Sequence, residues 1–515
     1  MAVGENQIPG NALGAPAVAD TSPLPAERSG SKIVRNIMAL GASQLVTWTT
    51  GAILALIVPR YLGDTNLGRS QIAFSLTELF GLFASLGTAV YLTKEVARAR
   101  EGAASQVLNG VIMRLPLAAA MGGLAVLAGM AVGYNQATMH LIYLYAANIG
   151  ISSVTGVLVG ALQGTQEMRP VALINAGSRI VLTVLTVIFL ELDYGAMGVG
   201  LAWVGAGALA MLAYLYAAIR FGCLAGRIDV RIWRMLAFAG LPFFVWQSAL
   251  LVYGQVDVIL LSFLTRDAVV GWYGAAYRII QIPVFFPMIV ATALFPALAK
   301  RGDADPSFAS MVRNSLHTVL LITIPICVGT IALSDRMIET LGYPSEFRHS
   351  VPLIIVLALH VPVVGTDMII GTALNAMNRQ TRWATAAVMA AVLNPTLNLA
   401  AIPLTDSAFG NGAIGASVVT VVTELFMMGM GLFFLGRGVL NRESLGSTMR
   451  IIAACVPMLV LVLVMRPLFL PVTVAAGAAV YFASCLVTGA MSRDHIQLLR
   501  SHLLARFGAQ QASQA

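Results

Sequence analysis

The chain has 515 residues, 58% hydrophobic and only 10% charged, with a formal net charge of +8 and a mean hydropathy of +0.83. Soluble domains carry about 25% charged residues, so this composition excludes an ordinary soluble protein and indicates a membrane protein. Apolar stretches of about 17 to 25 residues, enough to cross a hydrocarbon core as helix, recur along nearly the whole sequence and leave no room for a large soluble domain.

Residues 1–32 begin with a run rich in Gly, Pro and Ala that lacks a continuous apolar segment. They read as a disordered cytoplasmic tail rather than a cleaved signal, so the first span directs insertion. Fourteen spans are expected, at about 33–58, 67–91, 107–131, 139–163, 170–190, 196–219, 235–262, 270–297, 312–333, 351–375, 383–403, 412–436, 450–466 and 469–491. With both termini in the cytoplasm, inside segments hold 22 Lys or Arg and outside loops only six, a positive-inside pattern. The basic balance therefore reports topology and not nucleic-acid binding. Three cations fall within spans: Arg114, Arg179 and Arg278. After the last span, residues 492–515 are expected to form an interfacial cytoplasmic helix and tail, because Ile496, Leu499, Leu503 and Phe507 share one helical face. Cys223, Cys327, Cys455 and Cys485 lack paired spacing and read as core residues, not as a disulfide or metal framework.

The segment at 60–81, RYLGDTNLGRSQIAFSLTELFG, resembles SFLTRDAVVGWYGAAYRIIQIP at 262–283, with Gly68 falling on Gly271. Further on, ALQGTQ at 161–166 matches ALNAMN at 373–378, and YGAMGVGLA at 194–202 matches FGNGAIGAS at 409–417. An all-α membrane protein follows, with two parallel six-helix lobes at 33–222 and 231–437 around a central cavity, and an extra helix pair at 450–491.

Helical spacing shows which polar residues share a face. Span 8 aligns Gly271, Gly274, Arg278 and Gln281; span 2 aligns Gln71, Ser75, Glu78, Gly81 and Ser85; span 1 aligns Asn36, Ser43, Thr47 and Thr50. In span 7, Gln247, Gly254 and Asp257 share a face that Leu250 interrupts. A charge inside the bilayer costs about 2.5 to 3.5 kcal/mol and normally faces protein, water or a partner charge. Arg278 is thus a cavity cation for an anionic ligand, the partner of Asp257, or the partner of Glu78. Arg179 shares a face with Asn175, Thr183 and Thr186 but has no identifiable carboxylate partner. Arg114, seven residues into span 3, is expected to snorkel to the cytoplasmic surface. Asp367, on a face with His360 and Gly371, and Glu424, in the middle of span 12, are candidates for ion coupling, with helix packing as the alternative. Asn394, Pro395 and Asn398 are expected to form a kink with satisfied backbone groups.

The paired patterns RYLGDTNLG…LFASLGTAVYLTKEVA and QVDVILLSFLTRDAVVGWYGAAYR…ATALFPALAK, followed by NPTLNLAAIPLTDSAFGNGAIGASVVTVVTE, resemble the polysaccharide transport branch of the multidrug, oligosaccharidyl-lipid and polysaccharide exporter superfamily. Wzx-type O-antigen and exopolysaccharide flippases belong to that branch. The resemblance implies a V-shaped pair of lobes in the bacterial inner membrane. It also implies export of undecaprenyl-diphosphate-linked oligosaccharide from the cytoplasmic to the outer leaflet by alternating access, for polysaccharide biosynthesis. Its expected partners are the lipid-linked oligosaccharide, membrane lipids, and a polysaccharide polymerase and chain-length regulator.

A cation-coupled multidrug exporter and a lipid II flippase are the alternatives within the superfamily. The loop TKEVARAREGAAS lacks the Gly-x-x-x-Asp-Arg pattern of major-facilitator carriers, and the longest outside loop, 334–350, is too short for a typical polymerase or ligase. No P-loop, HExxH or nucleophile elbow occurs, so neither catalysis nor a cofactor or metal is expected.

Overall fold

In hydrocarbon every backbone N–H and C=O must find a partner inside the protein, which makes helix the default for a chain this apolar. The computed structural model describes residues 26–98, 100–302, 305–436 and 441–491, and all regular structure among them is helical. The expected helix at the C-terminal end lies outside the described residues, as does most of the expected N-terminal tail. The first helix starts at Ala26, so the last residues of that tail are helical.

A first group comprises α1 (Ala26–Ser85), α2 (Thr88–Arg98), α3 (Arg100–Val132), α4 (Gln136–Gly164), α5 (Met168–Glu191) and α6 (Gly195–Arg220). The second comprises α7 (Val230–Leu264), α8 (Asp267–Gln281), α9 (Phe285–Arg301), α10 (Pro306–Thr340), α11 (Val351–Ala358), α12 (His360–Ala376), α13 (Gln380–Phe409) and α14 (Ala413–Leu435). Last come α15 (Arg442–Val464) and α16 (Leu470–Thr488), which pair with each other and lean on α10. An apolar cavity of about 370 Å³ lies where they meet α10, lined by residues including Pro325, Gly329, Met458 and Tyr481. The four cysteines are buried, and no disulfide joins them among the described residues.

Helix α1 is 60 residues long, which would reach about 90 Å if straight, some three times the hydrocarbon thickness. It breaks at Gly63, where φ is 68°, and the second arm continues to another break at Leu86 and Gly87, with φ of 47° and 63°. By length and hydropathy, 11 described helical stretches suffice to cross a membrane, or 12 with α8 and α9 taken as one span bent by 47°. The count is below the expected fourteen partly because the first two expected spans run together in Met38–Arg98 and the eighth is broken.

The two groups touch at both ends of the second arm of α1, about 33 Å apart along the helix. At the first junction Gly68 and Gly271, the residues aligned by the repeat, lie against the opposite backbone. A Cβ on Gly68 would stand 1.8 Å from the Asp267 carbonyl oxygen, and one on Gly271 1.9 Å from that of Asp64. Around this contact Arg69 Nε pairs with Asp267 Oδ2 at 3.1 Å, Asn135 donates to the same oxygen at 2.8 Å, and Trp272 Nε1 donates to Asp64 Oδ2 at 2.8 Å. Leu62, Leu67 and Ile72 join Val258, Leu261 and Val269 in one buried cluster beneath it.

At the second junction the Leu86–Gly87 break meets α7. A Cβ on Gly87 would lie 2.4 Å from Phe244 N, and one on Gly240 2.2 Å from the Leu86 carbonyl oxygen.

Arg114 corrects the sequence reading. It is 1% exposed and does not snorkel. Its guanidinium donates to the Ser85 carbonyl and the Thr88 hydroxyl, both at 2.7 Å, and to the Ser153 carbonyl. A helix break leaves carbonyls without intrahelical donors, and in a dry interior a fixed cation is a strong substitute.

Replacing Arg114 with Met is expected to lower stability by about 1 to 3 kcal/mol, the penalty for leaving buried acceptors without donors; a wild-type melting temperature would refute that role. In Gly271→Val, overpacking of about 1 to 3 kcal/mol or more is expected to open the first junction. Spin labels at Asn66 and Arg266 should then report a longer separation than in the wild type, and an unchanged distance distribution would show that the close approach is not required.

Candidate functional site

Between the two junctions, α8 and the second arm of α1 lie against each other, and the repeat-equivalent faces meet. Gly274 leaves room for its repeat mate, Gln71, whose Cγ would be 3.8 Å from a Cβ there. One turn further along α8, Arg278 Nη2 donates to Gln71 Oε1 at 3.4 Å. The phenols of Tyr145 and Tyr343 flank the guanidinium. Neither Asp257 nor Glu78 pairs with it among the described residues. Arg278 as a whole residue is half-buried.

Asp257 was a proposed partner of Arg278, and its position corrects that reading. The carboxylate is 6% exposed and wholly engaged elsewhere. Tyr273 donates to Oδ2 at 2.9 Å, Thr420 to Oδ2 at 2.8 Å, and Asn398 Nδ2 to Oδ1 at 2.7 Å. Asn398 also donates to Asn394 Oδ1 at 2.9 Å, so these two asparagines do more than accompany a kink at Pro395. The network binds α7, α8, α13 and α14 into one block. As partners of Asp257, Tyr273, Thr420 and Asn398 escaped the sequence reading because they are 16, 163 and 141 residues away from it.

The other candidates separate into distinct places. Glu78 is half-buried on the α1 arm and forms no hydrogen bond or ion pair with a described residue. Gln281 is exposed at the end of α8, beside the Tyr277 hydroxyl. Arg179 lies in the first group with its guanidinium carbon 5.8 Å from the Trp203 ring centroid, a cation–π distance. Trp203 in turn packs on Phe74, centroid to centroid 5.4 Å, on the same α1 arm that carries Gln71 and Glu78. A half-buried cation held by an aromatic face keeps its N–H donors available.

Asp367 and Glu424, separated by 57 positions in sequence, come together. Both line a cavity of about 560 Å³ bounded by α9, α12, α13 and α14. Their side chains are 5% exposed. His360 Nδ1 lies 3.8 Å from Glu424 Oε1. Among the described residues no group of three or more His, Cys, Asp or Glu is arranged to hold a metal ion.

This arrangement offers an uncompensated guanidinium beside neutral donors, a second cation on an aromatic platform, a carboxylate and a separate acid pair. It can bind a polar anionic group and hold protons.

Residues 33–301 match the sequence model of a family described as polysaccharide biosynthesis protein. Over 173 residues the chain is 28% identical to the probable low-salt glycan biosynthesis flippase Agl15 of Haloferax volcanii, covering 33% of this chain and 35% of that protein. Over 263 residues it is 25% identical to the probable flippase AglR of the same organism, covering 49% and 54% respectively. The chain thus spans from about a third to about half of the length of these curated relatives. Among solved structures, its fold resembles the lipid II flippase MurJ in an inward closed conformation, with a TM-score of 0.72 at 18% identity over 88% of this chain and 98% of that one. An inward-facing multidrug resistance MATE family transporter of the MOP superfamily aligns with a TM-score of 0.55 at 13% identity, over 75% of this chain and 98% of that one. The helical architecture is therefore shared with transporters of this superfamily, and with more than half of its residues covered by the matching sequence model, the chain belongs to the polysaccharide biosynthesis protein family.

Proposed function

We propose that this protein is a flippase that moves undecaprenyl-diphosphate-linked oligosaccharide from the cytoplasmic to the outer leaflet of a bacterial inner membrane. The observation that carries the reading is Arg278. It is a cation held between two backbone junctions with, among the described residues, Gln71 as its direct hydrogen-bond partner at 3.4 Å, although an uncompensated charge at such depth costs about 2.5 to 3.5 kcal/mol. A diphosphate group satisfies that cation, since guanidinium binds phosphate oxygens through charge-assisted and often bidentate bonds. Glu78, Gln71, Gln281 and Arg179 supply further polar contacts for sugars and phosphate.

The cycle is alternating access between lobes at 33–222 and 231–437. The closed arrangement has both the Gly68–Gly271 and Gly87–Gly240 junctions formed, and opening one at a time exposes the polar space to one side. With both termini cytoplasmic and the cell interior negative, export of negative charge is assisted by about 2.3 kcal/mol per charge per 100 mV. A polysaccharide polymerase and chain-length regulator are the partners that such a product requires.

Deleting the gene is expected to leave lipid-linked oligosaccharide on the cytoplasmic leaflet and to diminish surface polysaccharide. Unchanged polysaccharide with new drug sensitivity would instead establish the multidrug exporter alternative. In an Arg278→Ala variant the loss of one charge-assisted contact, about 1.5 to 3 kcal/mol, predicts a slowing of roughly 10- to 150-fold. Arg278→Lys should retain part of the rate. Delivery of lipid-linked intermediates to the outer leaflet at the wild-type rate in Arg278→Ala would remove Arg278 from the substrate path.

A further inference from the structure

A proline inside a helix lacks the N–H that would reach back one turn, so the carbonyl four residues before it loses its partner. In hydrocarbon such an acceptor must find a donor elsewhere. Two prolines here are answered by a tyrosine phenol from another segment. In α10, Pro325 releases the Leu321 carbonyl, and Tyr481 of α16 donates to it at 2.7 Å. In α1, Pro59 releases the Ala55 carbonyl, and Tyr343 donates to it at 3.0 Å. The first bond fastens the terminal helix pair to α10. The second crosses between the two groups of helices.

Tyr343 belongs to the connection between α10 and α11, residues 341–350, whose 3₁₀ turn Ser345–Ser350 packs on α8, α11 and α1. The far end of this connection is fixed to the second group. Phe347 is wholly buried in the cluster beneath the Gly68–Gly271 contact, and Ser350 donates to the Trp272 carbonyl at 2.9 Å. Asn411, just before α14, donates to the His349 carbonyl at 3.0 Å, and the His349 ring stacks on Trp272 with centroids 4.2 Å apart.

The near end lies over the first group. Gly342, with φ of 65°, makes room for Arg60, whose guanidinium carbon is 3.5 Å from where a Cβ would stand. Gly63, with φ of 68°, does the same for Glu346, whose Oε1 would be 3.0 Å from a Cβ there. Each segment thus offers a left-handed glycine to a charged side chain of the other, a conformation and a closeness that larger residues resist.

We infer that residues 341–350 are a strap, with the Tyr343 hydroxyl as its latch, that holds this end of the two groups closed. While the groups stay together, the phenol supplies the donor that Pro59 withholds from Ala55. Separation at the Gly68–Gly271 junction draws the phenol away and strands that carbonyl, which biases the resting protein toward closure. Tyr343 is buried, packs on Phe347 with ring centroids 5.3 Å apart and flanks Arg278, so the latch forms part of the wall of the polar space. It would serve any cargo that passes this junction, and so stands apart from the flippase reading.

The test places a reporter thiol in the closed space by Gly274→Cys, at a buried position that faces Gln71 with room for a Cβ. In the full-length protein in lipid nanodiscs, a charged thiol reagent reaches it through openings of the structure, so the rate of modification at residue 274, read by mass spectrometry, follows the open fraction. Tyr343→Phe keeps the ring and removes the donor. It is expected to raise that rate by roughly 5- to 150-fold, whereas Tyr481→Phe, which strands a carbonyl away from the junction, leaves it at the wild-type value. Pro59→Ala restores a helical N–H to Ala55, so in that background Tyr343→Phe should change the rate by less than about twofold. A wild-type rate in Tyr343→Phe overturns the latch. An equal acceleration with and without Pro59→Ala also overturns it, because the ring's packing and not its hydroxyl bond would then be holding the groups together.

Discussion

The arrangement depends on the approach of two backbones at Gly68 and Gly271, where no side chain fits. With a Cβ placed less than 2 Å from a carbonyl oxygen on the opposing helix, any other residue would push α8 away from the second arm of α1. That close contact brings Gln71 opposite Gly274 and within reach of Arg278, and it orients the Asp64–Trp272 and Arg69–Asp267 bonds on its rim. Dispersion and backbone packing hold helices together where lipid is as apolar as the side chains, and small residues permit the distance. The polar chemistry is thus positioned by the least chemical residues in the chain.

Buried polar groups here fall into two kinds, and the difference separates scaffold from site. Asp257 receives three neutral donors, and Arg114 holds the Ser85 carbonyl at a helix break together with the Ser153 carbonyl of α4. Such groups rigidify, because a satisfied buried network is stable and a half-satisfied one is not. Arg278, Glu78 and Asp367 are the other kind: charged side chains in or near the hydrocarbon with fewer partners than their atoms can accept. Unmet hydrogen-bonding capacity destabilises a fold, and it becomes useful where a ligand or proton supplies what is missing.

Much of this was legible in the sequence, and the remainder was hidden for definite reasons. The equivalence of Gly68 and Gly271 came from the repeat, and Arg278 stood out because a permanent cation interrupts an apolar run. Asp367 and Glu424 were visible singly but not as a pair, since no periodicity connects helices 57 positions apart. The pairing of Arg278 with Asp257 was one of three alternatives, suggested by their similar depth on adjacent spans. Depth does not specify the direction of a side chain around its helix, and Tyr273, Thr420 and Asn398 claim Asp257 from another side. Arg114 misled for a related reason: snorkelling was inferred from distance to the membrane surface, while the break at Leu86 and Gly87 supplied acceptors that hydropathy does not reveal.

The repeat also explains why closure and chemistry can be separate. At the junction the equivalent positions are identical, Gly68 against Gly271, so the contact is close to symmetric about the axis between the lobes. Moving along the same two helices, the equivalents diverge: Gln71 faces Gly274, Ser75 corresponds to Arg278, and Glu78 corresponds to Gln281. Ser75 turns away to bond Gln255 at 2.7 Å, which leaves the space across from it to the longer Arg278. One copy therefore carries the cation and the other the carboxylate, with a serine hydroxyl and a neutral amide as their respective counterparts. A ligand with a charged end and a polar end would meet opposite signs at different depths along these two helices.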